Sequence, residues 1–136
     1  MSDLTRTALA IDVGLLEKFD QWLTAHGYTN RSEAVRDLIR GALVEAEWQN
    51  PRGRVVAVLS LIYDHASRAL AQELTTIQHK DHHAVLCSQH VHLDEHLCLE
   101  AIVMQGTARQ LRRLADTIVA THGVRAGNLT LLSRNV

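Results

Sequence analysis

Apolar and polar positions alternate with two different periods along this chain, and the period changes mark out its elements. Thr5 to Asp12 alternates every second residue, with Thr7, Leu9 and Ile11 on one face and Arg6, Ala8 and Ala10 on the other, as in a short strand. From about Gly14 to Ala25 the period lengthens to that of a helix carrying Leu15, Leu16, Phe19 and Leu23, and His26-Gly27-Tyr28 stops it. Asn30 followed by Glu33 has the spacing of a capping box. The helix it opens presents Ala34, Val35, Leu38, Ile39, Ala42 and Leu43 to a core and fades near Glu47.

The sole proline, Pro51, lies in Gln49-Asn50-Pro51-Arg52-Gly53, which predicts a linker at 49–53 between domains at 1–48 and 54–136. A unit of about fifty residues is too small to bury a stable core alone, and its single strand has no partner, so it is expected to dimerise. The remainder reads β-α-β-β-α-β. Val55 to Tyr63 is an apolar strand, and Asp64 can cap a helix bearing Ala66, Leu70, Leu74 and Ile77. Strands follow near 84–93 and 97–105, then a helix opened by Thr107 with Gln110 and striped by Leu111, Leu114, Ala115 and Ile118. Gly123 ends it, and Val124 to Leu132 is a last strand. The order fits an α+β, ferredoxin-like split βαβ fold.

Charge excludes a broadly basic nucleic-acid surface. The formal net charge is −1, with five Lys/Arg and eight Asp/Glu in residues 1–50 and nine and seven in the rest. Any DNA contact must come from a few placed arginines. No run is long and apolar enough for a transmembrane helix, and no secretion leader is evident, so a cytoplasmic location without membrane attachment is expected. In that reducing setting Cys87 and Cys98 do not read as a disulfide. Cys87 shares parity with Val85, Val91 and Leu93, a core face.

Histidine stands out: nine in all, six of them between His79 and His96. On a strand His90 and His92 project together, and a tight Asp94-Glu95-His96 turn brings Cys98 back beside them. Two imidazoles and a thiolate suit nickel, copper, zinc or cobalt rather than magnesium or calcium. His82, His83 and His96 fit solvated turns, and His65 and His122 fit packing or capping. Glu100 and Gln78 either hydrogen-bond to ligands or are ordinary polar residues at the core edge.

These pieces together resemble the NikR family of nickel-responsive ribbon-helix-helix repressors. The resemblance rests on Thr76-Ile77-Gln78-His79, His90-Val91-His92-Leu93, Cys98-Leu99-Glu100 and Tyr28-Thr29-Asn30-Arg31-Ser32-Glu33-Ala34-Val35-Arg36-Asp37. It implies an N-terminal ribbon-helix-helix DNA-binding domain and a C-terminal ACT-like module that binds metal and tetramerises, and it implies no enzyme. It further implies one square-planar Ni(II) per subunit, held by His90, His92 and Cys98 of one chain and His79 of another. Tyr63 resembles an aromatic that packs near the nickel, although a core-edge tyrosine fits as well.

The same resemblance implies a double-stranded DNA operator bound by a homotetramer, a dimer of dimers. Paired N-terminal strands would present Arg6, Ala8 and Ala10 to the major groove, where Arg6 can reach guanine and the alanines offer only methyl groups. Relatives usually carry small hydroxyl residues at the two alanine positions. Asn30, Arg31 and Ser32 at a helix start, with Arg36 a turn on, are placed to hold a phosphate. Arg68 matches a non-specific DNA contact, although Ser67 stands where a lysine is common. Glu33 and Asp37 read either as a solvated acidic edge pairing with Arg36 or Arg40, or as a hard-cation site at the domain interface completed by carbonyls near Val119, Thr121 and Val124. Competing readings are a small-molecule-sensing ACT-like regulator, a regulator answering to copper, cobalt or zinc, and an antitoxin-type protein. A metal titration separates the metal-dependent regulator from the first of these.

Overall fold

The computed structural model describes residues 3–136. The chain forms two compact units, residues 1–40 and 41–136, which part inside a helix. In the first unit, residues 3–12 form no regular element, so the expected strand from Thr5 to Asp12 is absent in a single chain. Its backbone groups have no ladder partner among the described residues, and a lone strand has nothing to hold it. Arg6, Ala8 and Ala10 are all exposed.

Asp12 caps α1 (Val13–Ala25) by accepting the Leu15 N–H at 3.1 Å, and Gly27, at φ 74°, turns the chain out of it. The Asn30 side chain caps α2 (Arg31–Gln49) through the Glu33 N–H at 2.9 Å, as the capping pattern predicts. Arg31 grips Asp20 of α1 with two nitrogens, at 2.8 and 2.7 Å. Leu23 and Ala34 are buried, but Leu15, Leu38, Ile39 and Leu43 are exposed, contrary to the expected core face. The periodicity located an apolar stripe correctly, and no element of a single chain covers it.

The second unit begins with the end of α2. Trp48 is buried, and its Nε1–H donates to the Leu132 carbonyl at 3.1 Å, so this stretch of helix packs with the sheet. The expected linker is a pinned turn. Gly53 donates to Asn50 at 3.0 Å, while the Pro51 and Gly53 carbonyls accept from Arg109 and Ala108 at 3.2 and 3.0 Å. Four antiparallel strands follow: β1 (Arg54–Asp64), β2 (Val85–His92), β3 (Leu97–Thr107) and β4 (Val124–Leu132), in sheet order β2-β3-β1-β4. The intervening helices are α3 (Arg68–Lys80) and α4 (Ala108–Val119). This is the βαββαβ order read from the pattern.

Every second residue of β1 and β3 is buried, including Val55, Ala57, Leu59, Leu61 and Tyr63 on the first and Cys98, Glu100, Ile102 and Met104 on the second. All of these but Glu100 join Leu70 and Leu74 of α3 and Leu111, Leu114 and Ile118 of α4 in one hydrophobic core. Ser67, rather than Asp64, caps α3 by accepting from the Leu70 N–H, and Thr107 caps α4 as expected. Edge strand β2 is irregular between Val85 and Cys87, where the register slips. A slip of one residue exchanges faces, so Cys87 is exposed and not part of the core.

Candidate metal centre

The hairpin of β2 and β3 sets the geometry. At its turn, Asp94 Oδ1 accepts the N–H groups of His96 and Leu97, both at 2.7 Å, and these donors hold its carboxyl below the usual range. The register then places His92 opposite Cys98 and His90 opposite Glu100. Directly opposed residues share a face, so both histidines stand on the side where Cys98 and Glu100 enter the core. The difference in burial is large: the Cys98 residue is 0% exposed, whereas the His90 side chain is 52% exposed. A thiol at the floor with imidazoles at the rim forms a half-open site.

His90 Nδ1 lies 3.7 Å from Cys98 Sγ and 3.1 Å from the Tyr63 hydroxyl. The Tyr63 hydroxyl donates to Glu100 Oε2 at 3.0 Å, and the Gln78 amide donates to Glu100 Oε1 at 2.8 Å. Glu100 is thus a buried carboxylate with two good donors, the condition under which a buried acid is tolerated. Burial first, then the Glu100 carboxylate and the Cys98 thiol, push the Tyr63 hydroxyl far above its ordinary pKa, so it stays a donor. Glu100 and Gln78 are buried hydrogen-bonding partners of each other, Glu100 also of Tyr63, and Tyr63 is both core and neighbour of His90.

His92 does not yet converge with the other two. Its ring stacks on His65, with centroids 4.3 Å apart and planes 3° from parallel. His79 is exposed near the end of α3, and among the described residues no hydrogen bond or ring contact joins it to Cys98, His90 or His92. Among the described residues no group of three or more His, Cys, Asp or Glu has metal-holding spacing. The sequence reading missed the His65 contact because it depends on β1 and β2 flanking β3, a non-local pairing that the His65 N–H continues by donating to the His96 carbonyl at 2.9 Å.

The donor set nevertheless suits a borderline transition metal: a buried thiol with the His90 imidazole 3.7 Å away and His92 directly across the ladder. Comparison with known proteins agrees. The model of the NikR C terminal nickel binding domain family matches residues 56–132, the whole hairpin included. The chain belongs to the NikR family. Relatives of this NikR chain extend the match over nearly its full length. One from Solibacter usitatus is 50% identical over 131 residues, covering 96% of this chain and 94% of its own. One from Anaeromyxobacter dehalogenans (strain 2CP-C) is 48% identical over 128 residues, covering 93% and 92%. Another, from Solidesulfovibrio magneticus, is 46% identical over 131 residues, covering 96% and 94%. All three bear the name "Putative nickel-responsive regulator".

The residues expected to meet DNA or a second cation have these positions in the chain. Ser32, Arg36 and Arg68 are exposed; the Asn30 side chain is spent on its cap, and Arg31 is paired with Asp20. Glu33 is exposed, whereas Asp37 already accepts from Tyr28 at 3.1 Å and pairs with Arg40 at 2.8 Å.

Proposed function

We propose that this chain is a nickel-responsive transcriptional regulator in which His90, His92 and Cys98 of one chain and His79 of a second hold one Ni(II) per chain. The carrying observation is His90 Nδ1 3.7 Å from the buried Cys98 Sγ, with His92 directly across the ladder, inside the matched nickel-binding domain. Nickel bound there supplies a strong link between donors that are otherwise free to part. For the site to form, Cys98 gives up its proton and His92 turns away from His65. Tyr63, fixed by Glu100 and through it by Gln78, limits how far His90 can swing. Gln78 adjoins His79 on α3, so the same hydrogen bonds tie the inner face of that helix to the site.

The regulator reading assigns the first unit to DNA. Exposed Leu15, Leu38 and Ile39, and a segment at 3–12 without a strand partner, support a ribbon-helix-helix dimer in which two copies cover each other's stripes and pair their N-terminal strands. That places Arg6, Ala8 and Ala10 on the groove-facing side, with Arg36 and Arg68 free for phosphates. With His79 supplied by another chain, dimers pair into a tetramer. No described helix is long and apolar enough to cross a membrane, and a DNA partner calls for a cytoplasmic protein. Glu33 and Asp37 offer carboxylates to a hard cation only if it displaces the Tyr28 and Arg40 contacts of Asp37.

The test is native mass spectrometry of the full chain with and without nickel, alongside near-ultraviolet absorption. One Ni(II) per chain and a thiolate charge-transfer band are expected, and both should be lost in Cys98→Ser. Retention of the band in that variant would move the site elsewhere.

A further inference from the structure

The outer face of α4 carries charge that the stability of the helix does not explain. Arg109, Arg112 and Arg113 fall within its first six residues, three and four apart, so they share one face. The start of a helix is its positive pole, where acidic side chains stabilise and basic ones cost. The first turn of α4 contains no acidic residue. Like charges at this spacing also repel one another. Among the described residues none of the three arginines forms an ion pair, although Asp116 lies on the same side.

The three line an open groove of about 630 Å³ together with Trp48, Pro51 and Asp116. Its base is well held. The Arg112 guanidinium lies 5.2 Å from the centroid of the Trp48 ring, and Trp48 is buried and anchored to Leu132. The Pro51 wall is tied to α4 through the Arg109 N–H. Volumes of about 300–1,000 Å³ are usual for small-ligand sites. Trp48 is too covered to stack on a base, so recognition here would be of charge and shape.

We propose that this groove binds an anion carrying adjacent phosphates, with Arg109 and Arg113 gripping neighbouring phosphoryl groups and Arg112 held between them on Trp48. Planar guanidinium groups match phosphate oxygens two at a time, and three against one carboxylate leave the groove strongly attractive to a polyanion. The ligand also relieves the mutual repulsion of the arginines. Adjacent phosphates come from two sources, a free polyphosphate or the backbone of DNA. The proposal does not depend on the nickel site.

The experiment uses nickel-free full-length protein, with inorganic tripolyphosphate followed by calorimetry and a short duplex of arbitrary sequence followed by anisotropy across a salt series. Wild type binds tripolyphosphate, the Arg109→Gln/Arg113→Gln double variant binds it about tenfold or more weakly, and Asp116→Asn binds it more tightly. If DNA is the source, the double variant also loses duplex affinity, and its salt slope falls by about two contacts' worth. If a free polyphosphate is the source, duplex binding is unchanged. Equal tripolyphosphate affinity in wild type, the double variant and Asp116→Asn would overturn the proposal, as would no binding by wild type. The gain expected of Asp116→Asn guards against reading a misfolded variant as a lost site, and nickel uptake by the double variant should match wild type.

Discussion

At the scale of single residues the centre depends on a buried acid being satisfied. Glu100 is 1% exposed, and Tyr63 and Gln78 provide its hydrogen bonds. Tyr63→Phe removes one donor and leaves the His90 ring without its hydroxyl neighbour. A buried polar group stripped of a partner costs about 1–3 kcal/mol, and urea unfolding of the metal-free protein should show that loss. An unchanged midpoint would mean water replaces the hydroxyl. Asp20 provides a contrasting, exposed case. Its hydrogen bonds from Arg31 hold its carboxyl below the ordinary 3.8, with burial opposing slightly. A depressed native pKa adds stability that is present above 3.8 and lost as pH falls through the native value. Helicity of the first unit should therefore resist mild acid in wild type and yield below that range, whereas Asp20→Asn should lose this acid-dependent component. Identical acid profiles would show that the pair contributes nothing. The shared face of His90, His92 and Cys98 was legible because strand parity and a three-residue turn fix who faces whom. The stacking of His92 on His65 was not, since no local pattern reports that β1 and β2 flank β3.

At the scale of elements, what was legible followed local rules. Caps at Asn30 and Thr107, and the β1, β3 and β4 strands, formed where pattern and capping chemistry put them. Two expectations failed for reasons beyond local sequence. Cys87 was assigned to a core face by parity with Val85, Val91 and Leu93; a slip in the edge strand parts it from Val85, and Val91 and Leu93 are exposed as well, so that face is not a core face in one chain. The N-terminal strand was read from its alternation, but a strand forms only against another, and one chain offers none. Gly123 illustrates a local requirement that can be tested. It joins α4 to β4 at φ 99°, where a side chain is strained, and an added Cβ would lie 2.9 Å from Leu70 Cδ2. Gly123→Ala should cost about 1–3 kcal/mol in denaturant unfolding, with Leu70 yielding part of the close contact. A variant as stable as wild type would show that the connection can re-route.

At the scale of the whole molecule, the proposed assembly gives the exposed apolar stripe of the first unit and the exposed His79 one explanation: a second chain would complete each. A site completed across chains makes metal occupancy a report on assembly, and linkage then lets nickel alter DNA affinity by its own preference among assembled forms. Two ribbons on one tetramer must meet two half-sites, so the operator should be an inverted repeat with halves on one side of the duplex. The pinned turn at residues 50–53, held to α4 by two backbone hydrogen bonds, argues against a loose tether at that point. Base reading should rest on Arg6, since Ala8 and Ala10 offer methyl groups alone. Selection from random duplexes with nickel-loaded wild type should enrich such a repeat, and Arg6→Ala should abolish the enrichment while keeping weak, salt-sensitive binding through Arg36 and Arg68. His79→Ala should lose the nickel dependence of that binding although His90, His92 and Cys98 remain. A motif that survives Arg6→Ala unchanged would take the reading of bases away from the ribbon, and nickel-dependent binding that survives His79→Ala would confine the metal site to one chain.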